Sequence, residues 1–212
     1  MKSPLWLITP ALLALQAGQA AVINFDGVPS GTAVNSFAPA GVQFFGAVLL
    51  PDVDSFGDPI PGSDKWRIDV SAPDVLAENP SNYGYGTAPS PDNALNSLWS
   101  PTLLKFAQPT PLGSFSVTLD NSTYGQLQRV DLLFLDKDGN VLRSLTLDQT
   151  VPGLTVSTGP LLSDVADIVL PVGAFYDNLS YTPVPESNGL LLVGSGLLVG
   201  GLALRRYRGA RS

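Results

Sequence analysis

The amino-acid sequence predicts an all-β protein, an antiparallel β-sandwich, and two observations lead to that prediction. Residues 21–182 consist of short apolar stretches, rich in β-branched and aromatic residues, separated by turns rich in glycine, proline, asparagine and aspartate. No amphipathic helical pattern occurs between the two ends of the chain. Many short strands with almost no helix are typical of sandwiches, and these patterns leave both jelly-roll and immunoglobulin topologies open.

The first expected strand is Ala21–Phe25, which the turn residues Asp26-Gly27-Val28-Pro29 end. The second is Gly41–Leu50, where Gly46 indicates a β-bulge. The other expected strands are Trp66–Val70, Leu103–Phe106, Gly113–Leu119, Val130–Leu135, Val141–Leu147, Ser163–Pro171 and Gly173–Tyr181.

The clearest hairpin joins Val130–Leu135 to Val141–Leu147 through Asp136-Lys137-Asp138-Gly139-Asn140. An Asp-Gly pair between two alternating apolar runs is a strong hairpin signal. The same five residues imitate the start of an EF-hand calcium loop, but the downstream glutamate is missing and strands flank the loop. The hairpin is therefore the preferred interpretation.

The stretch between Ser71 and Pro101 is long and proline-rich, so it is either a functional loop or contains short strands at positions that the pattern does not define. Tyr83, Tyr85 and Trp99 lie in this stretch together with several asparagines. Aromatic rings and amides suit a glycan-binding platform or a protein contact. The alternative, and the favoured interpretation at this point, is that these aromatic residues cover one end of the core.

The composition excludes several functions. Histidine and cysteine are both absent, so the chain cannot form a Ser-His-Asp triad, a thiol nucleophile, a histidine-ligated zinc site or a disulfide. Residues 21–186 hold all 18 acidic residues and six basic ones, a formal charge of −12. Such a surface repels nucleic acid and favours cations.

Both ends of the chain carry targeting patterns. Residues 1–20 have the layout of a signal peptide, with Lys2, an apolar run over Leu5–Leu15 and small residues before a cleavage point after Ala20 or, alternatively, Ala21. Near the other end, Gly189–Leu204 carries no charge and would form a helix of about 24 Å, close to the thickness of a bilayer core. A basic tail over residues 205–212 follows, and its arginines would remain in the cytoplasm.

The order Val184-Pro185-Glu186-Ser187, apolar span, arginine cluster resembles the PEP-CTERM sorting signal of Gram-negative bacteria. Ser187 departs from the family pattern, which has proline at that position. The resemblance implies that residues 183–212 are a sorting signal processed by an exosortase. Val184, Pro185 and Glu186 would form the recognised motif, and Arg205, Arg206 and Arg208 would stop the span and set its topology.

A second resemblance concerns the ends of the predicted sandwich. Ile23-Asn24-Phe25-Asp26 with Gly41-Val42-Gln43-Phe44, and Phe175-Tyr176-Asp177-Asn178-Leu179, look like the first and last strands of sandwich domains common in PEP-CTERM proteins. Those domains resemble carbohydrate-binding jelly rolls, so a jelly-roll-like sandwich is expected. In calcium-bearing jelly rolls the two chain ends share an ion, which suggests Asp26 and Asp177 as Ca²⁺ ligands. Simple turn carboxylates are the favoured alternative.

Together, these resemblances imply a non-enzymatic protein exported across the inner membrane to the cell surface or an exopolysaccharide matrix. Its role there would be structural or adhesive, with glycan binding. Its expected partners are the exosortase, the inner membrane in passing and extracellular polysaccharide, with no nucleic acid. Two alternatives are a secreted polysaccharide-active enzyme that uses paired carboxylates and an unprocessed single-pass membrane protein.

Overall fold

β-Strands account for almost all regular structure in the part of the chain that is described. A computed structural model describes residues 20–184 except 57, 64, 73, 85–92, 123–129, 149–150 and 152. The chain divides into two units, one of which is Ala20–Thr182, and the other, Met1–Gln19 with Pro183–Ser212, lies almost entirely outside the described residues. The predicted signal peptide, apolar span and basic tail therefore fall outside the description, apart from Ala20. Among the residues described, no helix is long and apolar enough to cross a membrane.

The described chain contains twelve strands and two single-turn 3₁₀ helices, over Val34–Ser36 and Pro80–Tyr83. The strands are β1 Ala21–Ile23, β2 Thr32–Ala33, β3 Val42–Pro51, β4 Trp66–Ala72, β5 Leu76–Glu78, β6 Ala94–Ser97, β7 Thr102–Ser122, β8 Val130–Leu135, β9 Val141–Leu147, β10 Thr155–Thr158, β11 Leu161–Leu170 and β12 Ala174–Pro183. Each pairing whose register is described is antiparallel. The predicted all-β class is confirmed.

Strand β7 is the longest element, with 21 residues. Two separate strands, Leu103–Phe106 and Gly113–Leu119, were expected here, and that prediction is wrong because β7 runs through both without a break. Pro109 and Pro111 lie in the joining segment, and the pairing of β11 with β7 shifts register opposite them. Proline is tolerated in a strand at such irregularities, since its missing N–H then breaks no regular ladder bond.

Hydrogen-bonded neighbours follow the order β2-β5-β6-β12-β7-β11-β8-β9. In addition, β1 pairs with β12, β10 pairs with β7, and β3 pairs with both β7 and β4. The start of β7 pairs with β3 and β11, whereas its later part pairs with β10. The main core draws buried side chains from both parts, and Phe115 of β7 meets Phe134 of β8 edge to face at 5.2 Å. The arrangement is therefore β-sandwich-like, with alternate residues facing a shared core.

The hairpin of β8 and β9 is confirmed, and a second hairpin packs beside it. Strand β3 changes register at the predicted bulge between Gly46 and Ala47, and its second half pairs with β4. Leu49, Trp66 and Ile68 of this β3–β4 hairpin pack on a small cluster formed by Ala47, Leu103, Leu135 and Val169. The N–H of Trp66 donates to the carbonyl of Gly139 in the β8–β9 turn at 2.9 Å. One hairpin is thus held against the turn of the other.

Candidate functional site

A surface pocket of about 270 Å³ opens beside β5 and β6. It is lined by the proline-rich stretch between Ser71 and Pro101, together with Gly46 at the bulge of β3. The lining residues are Gly46, Asp74, Val75, Leu76, Glu78, Tyr83, Asn96, Trp99 and Ser100.

Two carboxylates line the pocket, Glu78 at the end of β5 and Asp74 two residues before that strand. Val75 and Ala77 are buried in the main core, whereas Asp74, Leu76 and Glu78 are partly or fully exposed. Successive side chains of a strand point to opposite faces, so Leu76 and Glu78 share one face of β5.

Glu78 is held by two neighbours across the pocket floor. The Tyr83 hydroxyl donates to Glu78 Oε2 at 2.8 Å, and Asn96 Nδ2 donates to the same oxygen. The hydrogen bond to Glu78, then burial and then the charge of Glu78 raise the pKa of Tyr83 above its ordinary value. Tyr83 therefore stays a neutral donor at physiological pH, and Glu78 is fixed in orientation.

Asp74 is fixed by backbone donors. Its Oδ1 accepts from the N–H of Val75 at 3.0 Å and from the N–H of Asn35 at 3.3 Å. Asn35 in turn exchanges two hydrogen bonds with the backbone of Phe44 in β3, at 2.7 and 2.8 Å. Within the described part of the chain, neither Asp74 Oδ2 nor Glu78 Oε1 makes a hydrogen bond.

Trp99 and Tyr83 stand at the same pocket, as the glycan-platform hypothesis requires. Trp99 is 71% exposed, so the favoured interpretation that it covers the core is wrong for this residue. Tyr83 is 37% exposed, and its ring packs on buried Phe175 with centroids 5.9 Å apart. Its side chain therefore contacts a buried residue while part of it remains at the surface. Tyr85 lies outside the described residues.

The asparagines near these aromatic residues divide between the pocket and the turns. Asn96 lines the pocket, whereas Asn79 caps the 3₁₀ turn by accepting from the N–H of Ser81 at 2.9 Å. Asn82 donates to Ser30 Oγ at 3.3 Å, and Asn93 is buried with its amide donating to the carbonyl of Val28 at 2.6 Å. Only Asn96 of this group contributes to the described pocket.

Asp74 and Glu78 are not among the site residues predicted from the sequence. In the run Asp-Val-Leu-Ala-Glu the three apolar residues are contiguous, so no alternation indicates a half-buried strand there.

The predicted calcium ligands lie on strands that pair with each other. β1 and β12 are adjacent, with Ile23 opposite Leu179. Asp26 follows β1 in a turn, where its backbone N–H donates a hydrogen bond to Asn24 Oδ1 at 2.8 Å. Asp177 is fully buried within β12, so the turn-carboxylate interpretation is wrong for it.

Asp177 Oδ1 accepts from the N–H of Asn178 at 2.7 Å, and Asn178 adopts φ +47°. Among the described residues, no group of three or more acidic side chains is placed to hold a metal ion. Calcium binding by Asp26 and Asp177 stays a prediction.

The other acidic loops use their carboxylates to close turns. Asp136 Oδ1 accepts from the N–H groups of Asp138 and Asn140 at 2.8 and 2.9 Å, which confirms the hairpin interpretation. Burial raises the pKa of Asp136, but the hydrogen bonds from Asn140 and Asp138, with the charge of Lys137, outweigh it and hold that pKa below its ordinary value. In the β3–β4 loop, Asp54 Oδ1 accepts from the N–H of Phe56 at 2.8 Å.

The sorting motif falls almost entirely outside the described residues. Val184 is half-buried and follows the end of β12. The remaining residues assigned to sorting, which are Pro185, Glu186, Arg205, Arg206 and Arg208, lie outside the description.

Comparison of the sequence with protein-family models gave no match, and comparison with curated proteins gave none either.

Proposed function

We propose that this chain is an exported cell-surface or matrix protein whose β-domain binds polysaccharide at the pocket of Tyr83 and Trp99. In this proposal an exosortase recognises Val184, Pro185 and Glu186, and the span and arginines that follow hold the precursor in the inner membrane. The released domain has a structural or adhesive role in exopolysaccharide. We assign it a jelly-roll-like sandwich, which the pairing of its first and last strands supports.

The exposure of Trp99 beside a polar pocket is the observation that carries the proposal. Trp99 is 71% exposed, so apolar surface of a large aromatic side chain is accessible beside the pocket. Sugar rings offer an apolar face for such an indole and hydroxyl groups for nearby acceptors and donors. The fixed carboxylate of Glu78 and the amide of Asn96 supply these polar groups, as in ligand sites generally.

Glycan-array binding of the full-length chain in detergent tests the binding function. We expect Trp99→Ala to weaken binding about 5- to 30-fold, because stacking against a large ring contributes on the order of 1–2 kcal/mol. Phe56→Ala is the matched control, since Phe56 is an 89% exposed aromatic residue that does not line the pocket. Equal losses in the two variants would refute the assignment of the site.

The two pocket carboxylates favour a second candidate, a polysaccharide hydrolase that uses Asp74 and Glu78 as the catalytic pair. Such enzymes hold their carboxyl groups about 5–9.5 Å apart, so this candidate requires the carboxyl groups of Asp74 and Glu78 to lie within that range. A reducing-sugar assay on each bound glycan separates the candidates. Product that disappears in Glu78→Gln would establish hydrolysis, whereas binding without product supports the binding function.

The sorting proposal has its own test. Intact mass spectrometry of the protein from its native host, in membrane and extracellular fractions, is expected to show an extracellular species that ends near Pro185. A membrane species that retains residues 189–212 in exosortase-positive cells would instead establish the unprocessed single-pass alternative.

A further inference from the structure

The charged side chains that line the pocket are all acidic among the residues described. The lining includes two carboxylates, Asp74 and Glu78, and the lining residues that the structure describes include neither lysine nor arginine. The surrounding chain has the same sign, with a formal charge of −12 over residues 21–186. A sugar that carries carboxylate or sulfate would therefore approach an unfavourable potential, and a cationic sugar a favourable one.

Both carboxylates present an oxygen with remaining acceptor capacity. The described hydrogen bonds of Asp74 all end on Oδ1 and those of Glu78 on Oε2. A carboxylate can accept through both oxygens, and an ammonium group brings three donors and no acceptor. Asp74 Oδ2 and Glu78 Oε1 are thus acceptors whose best complement is a charged donor.

The donors that hold these carboxylates keep them in place before any ligand arrives. Tyr83 and Asn96 orient Glu78, and the backbone N–H groups of Val75 and Asn35 orient Asp74. A fixed acceptor loses little side-chain entropy on binding, which favours its use in selecting a ligand.

The aromatic residues add to the preference for a cation. The faces of tryptophan and tyrosine rings attract an ammonium group within about 6 Å. Trp99 and Tyr83 both line the pocket that holds the carboxylates. Its volume of about 270 Å³ lies below the roughly 300–1,000 Å³ of sites that enclose a drug-sized ligand. The selection would therefore act on one sugar unit while the rest of the polymer stays outside.

We infer that this pocket selects sugar units with a protonated amino group, the non-acetylated hexosamines, over sugars that carry carboxylate or sulfate. This inference rests on the polysaccharide-binding function proposed above and specifies its ligand class. The ammonium group binds at Asp74 or Glu78, and the ring of the same unit stacks on Trp99.

Three oligosaccharides test the inference by calorimetry with the full-length chain in detergent. They are de-acetylated chito-oligosaccharide, its fully N-acetylated counterpart and an oligogalacturonate. A pH of about 5.5 keeps amino groups protonated while ordinary carboxyl groups stay ionised. We expect the de-acetylated form to bind about fivefold or more tighter than the N-acetylated form, with the uronate weakest.

The variants Asp74→Asn and Glu78→Gln are isosteric, so their amide oxygens still accept the hydrogen bonds that the native carboxylates accept. At least one of them should remove most of the preference for the amine. Asp164→Asn makes the same change of charge at an exposed residue that does not line the pocket, so it measures general attraction between an acidic protein and a cationic polymer.

The outcomes distinguish failure of the amine preference from failure of the proposed polysaccharide-binding function. Loss of the amine preference in a pocket variant but not in Asp164→Asn supports the inference. If both chito-oligosaccharides bind equally and Trp99→Ala abolishes that binding, the amine preference is overturned but the polysaccharide-binding function stands. An amine preference that both pocket variants retain, or that Asp164→Asn reduces equally, also overturns it. Absence of binding to any glycan on the array or in solution overturns both.

Discussion

Replacing Gly139 by alanine tests whether the β3–β4 hairpin is held against the β8–β9 turn. Gly139 has φ +82°, a conformation that costs a residue with a side chain about 1–2 kcal/mol. A Cβ atom at this position would stand 2.1 Å from the carbonyl oxygen of Trp66, which is backbone and cannot rotate away. The strands would have to separate, which typically costs a further 1–3 kcal/mol or so for an overpacked contact.

The two backbones are also joined by the hydrogen bond from Trp66 N–H to the Gly139 carbonyl at 2.9 Å. Any shift that relieves the overlap therefore weakens that bond. We expect Gly139→Ala to lower the free energy of unfolding by about 2–5 kcal/mol, a large part of the stability of a typical domain.

Gly62→Ala is the matched control for this prediction. Gly62 lies in the loop of the β3–β4 hairpin with φ +75°, but a Cβ atom there would meet nothing within 4 Å. Only the cost of the positive φ applies to Gly62→Ala, so the free energy of unfolding is expected to fall by about 1–2 kcal/mol. Urea unfolding followed by far-ultraviolet circular dichroism measures both variants, with the slope checked for constancy. If Gly139→Ala lowers stability no more than Gly62→Ala does, the close contact with Trp66 is not present in solution.

Three further predictions concern the core and its charged groups. Burial raises the pKa of Asp167, the charge of Lys105 offsets this in part, and Asp167 Oδ1 has no hydrogen-bond partner among the described residues. The pKa of Asp167 is therefore higher in the folded protein than in the unfolded chain, so stability is lost as pH rises from about 4 through the folded pKa. Asp167→Asn should stabilise the protein by about 1 kcal/mol at pH 7 but not below pH 4. Thermal unfolding across pH measures this, and an equal effect at both ends of the range would contradict it. Phe134→Ala should lower stability by about 3–5 kcal/mol in urea unfolding, because Phe134 is fully buried edge to face with Phe115, and a loss under 1 kcal/mol or so would contradict the packing. Millimolar Ca²⁺ should raise the unfolding midpoint of the native chain but not of Asp177→Asn, and a midpoint unchanged between Ca²⁺ and EDTA would exclude the proposed ion.

The features that could be predicted from sequence are those that local residues determine. The β8–β9 hairpin follows from an Asp-Gly turn between two alternating runs, and the structure has Asp136 closing that turn as expected. Gly46 likewise marks a register shift, since glycine permits a local irregularity within one strand. Neither feature depends on residues far away in the chain.

The features that could not be predicted depend on distant partners. β7 stays continuous past Pro109 and Pro111 because β11 shifts register beside them, about 50 residues later in the chain. Strand β5 has three residues and is defined by its pairing with β2 and β6, so the pocket side of Asp74 and Glu78 was hidden from any local pattern. The exposure of Trp99 likewise depends on tertiary packing.

The position of the last strand determines when the domain can fold. β12 pairs with β7, β6 and β1, so each of these strands lacks one of its partners until β12 has been supplied. Pairings between residues about 160 positions apart, such as Ala21 with Tyr181, close slowly because a long loop must be ordered first. A chain that ends before Ala174 would leave several strand edges open to aggregation. In the export that we propose above, this delay would give the chain more time to cross the membrane before the domain is complete.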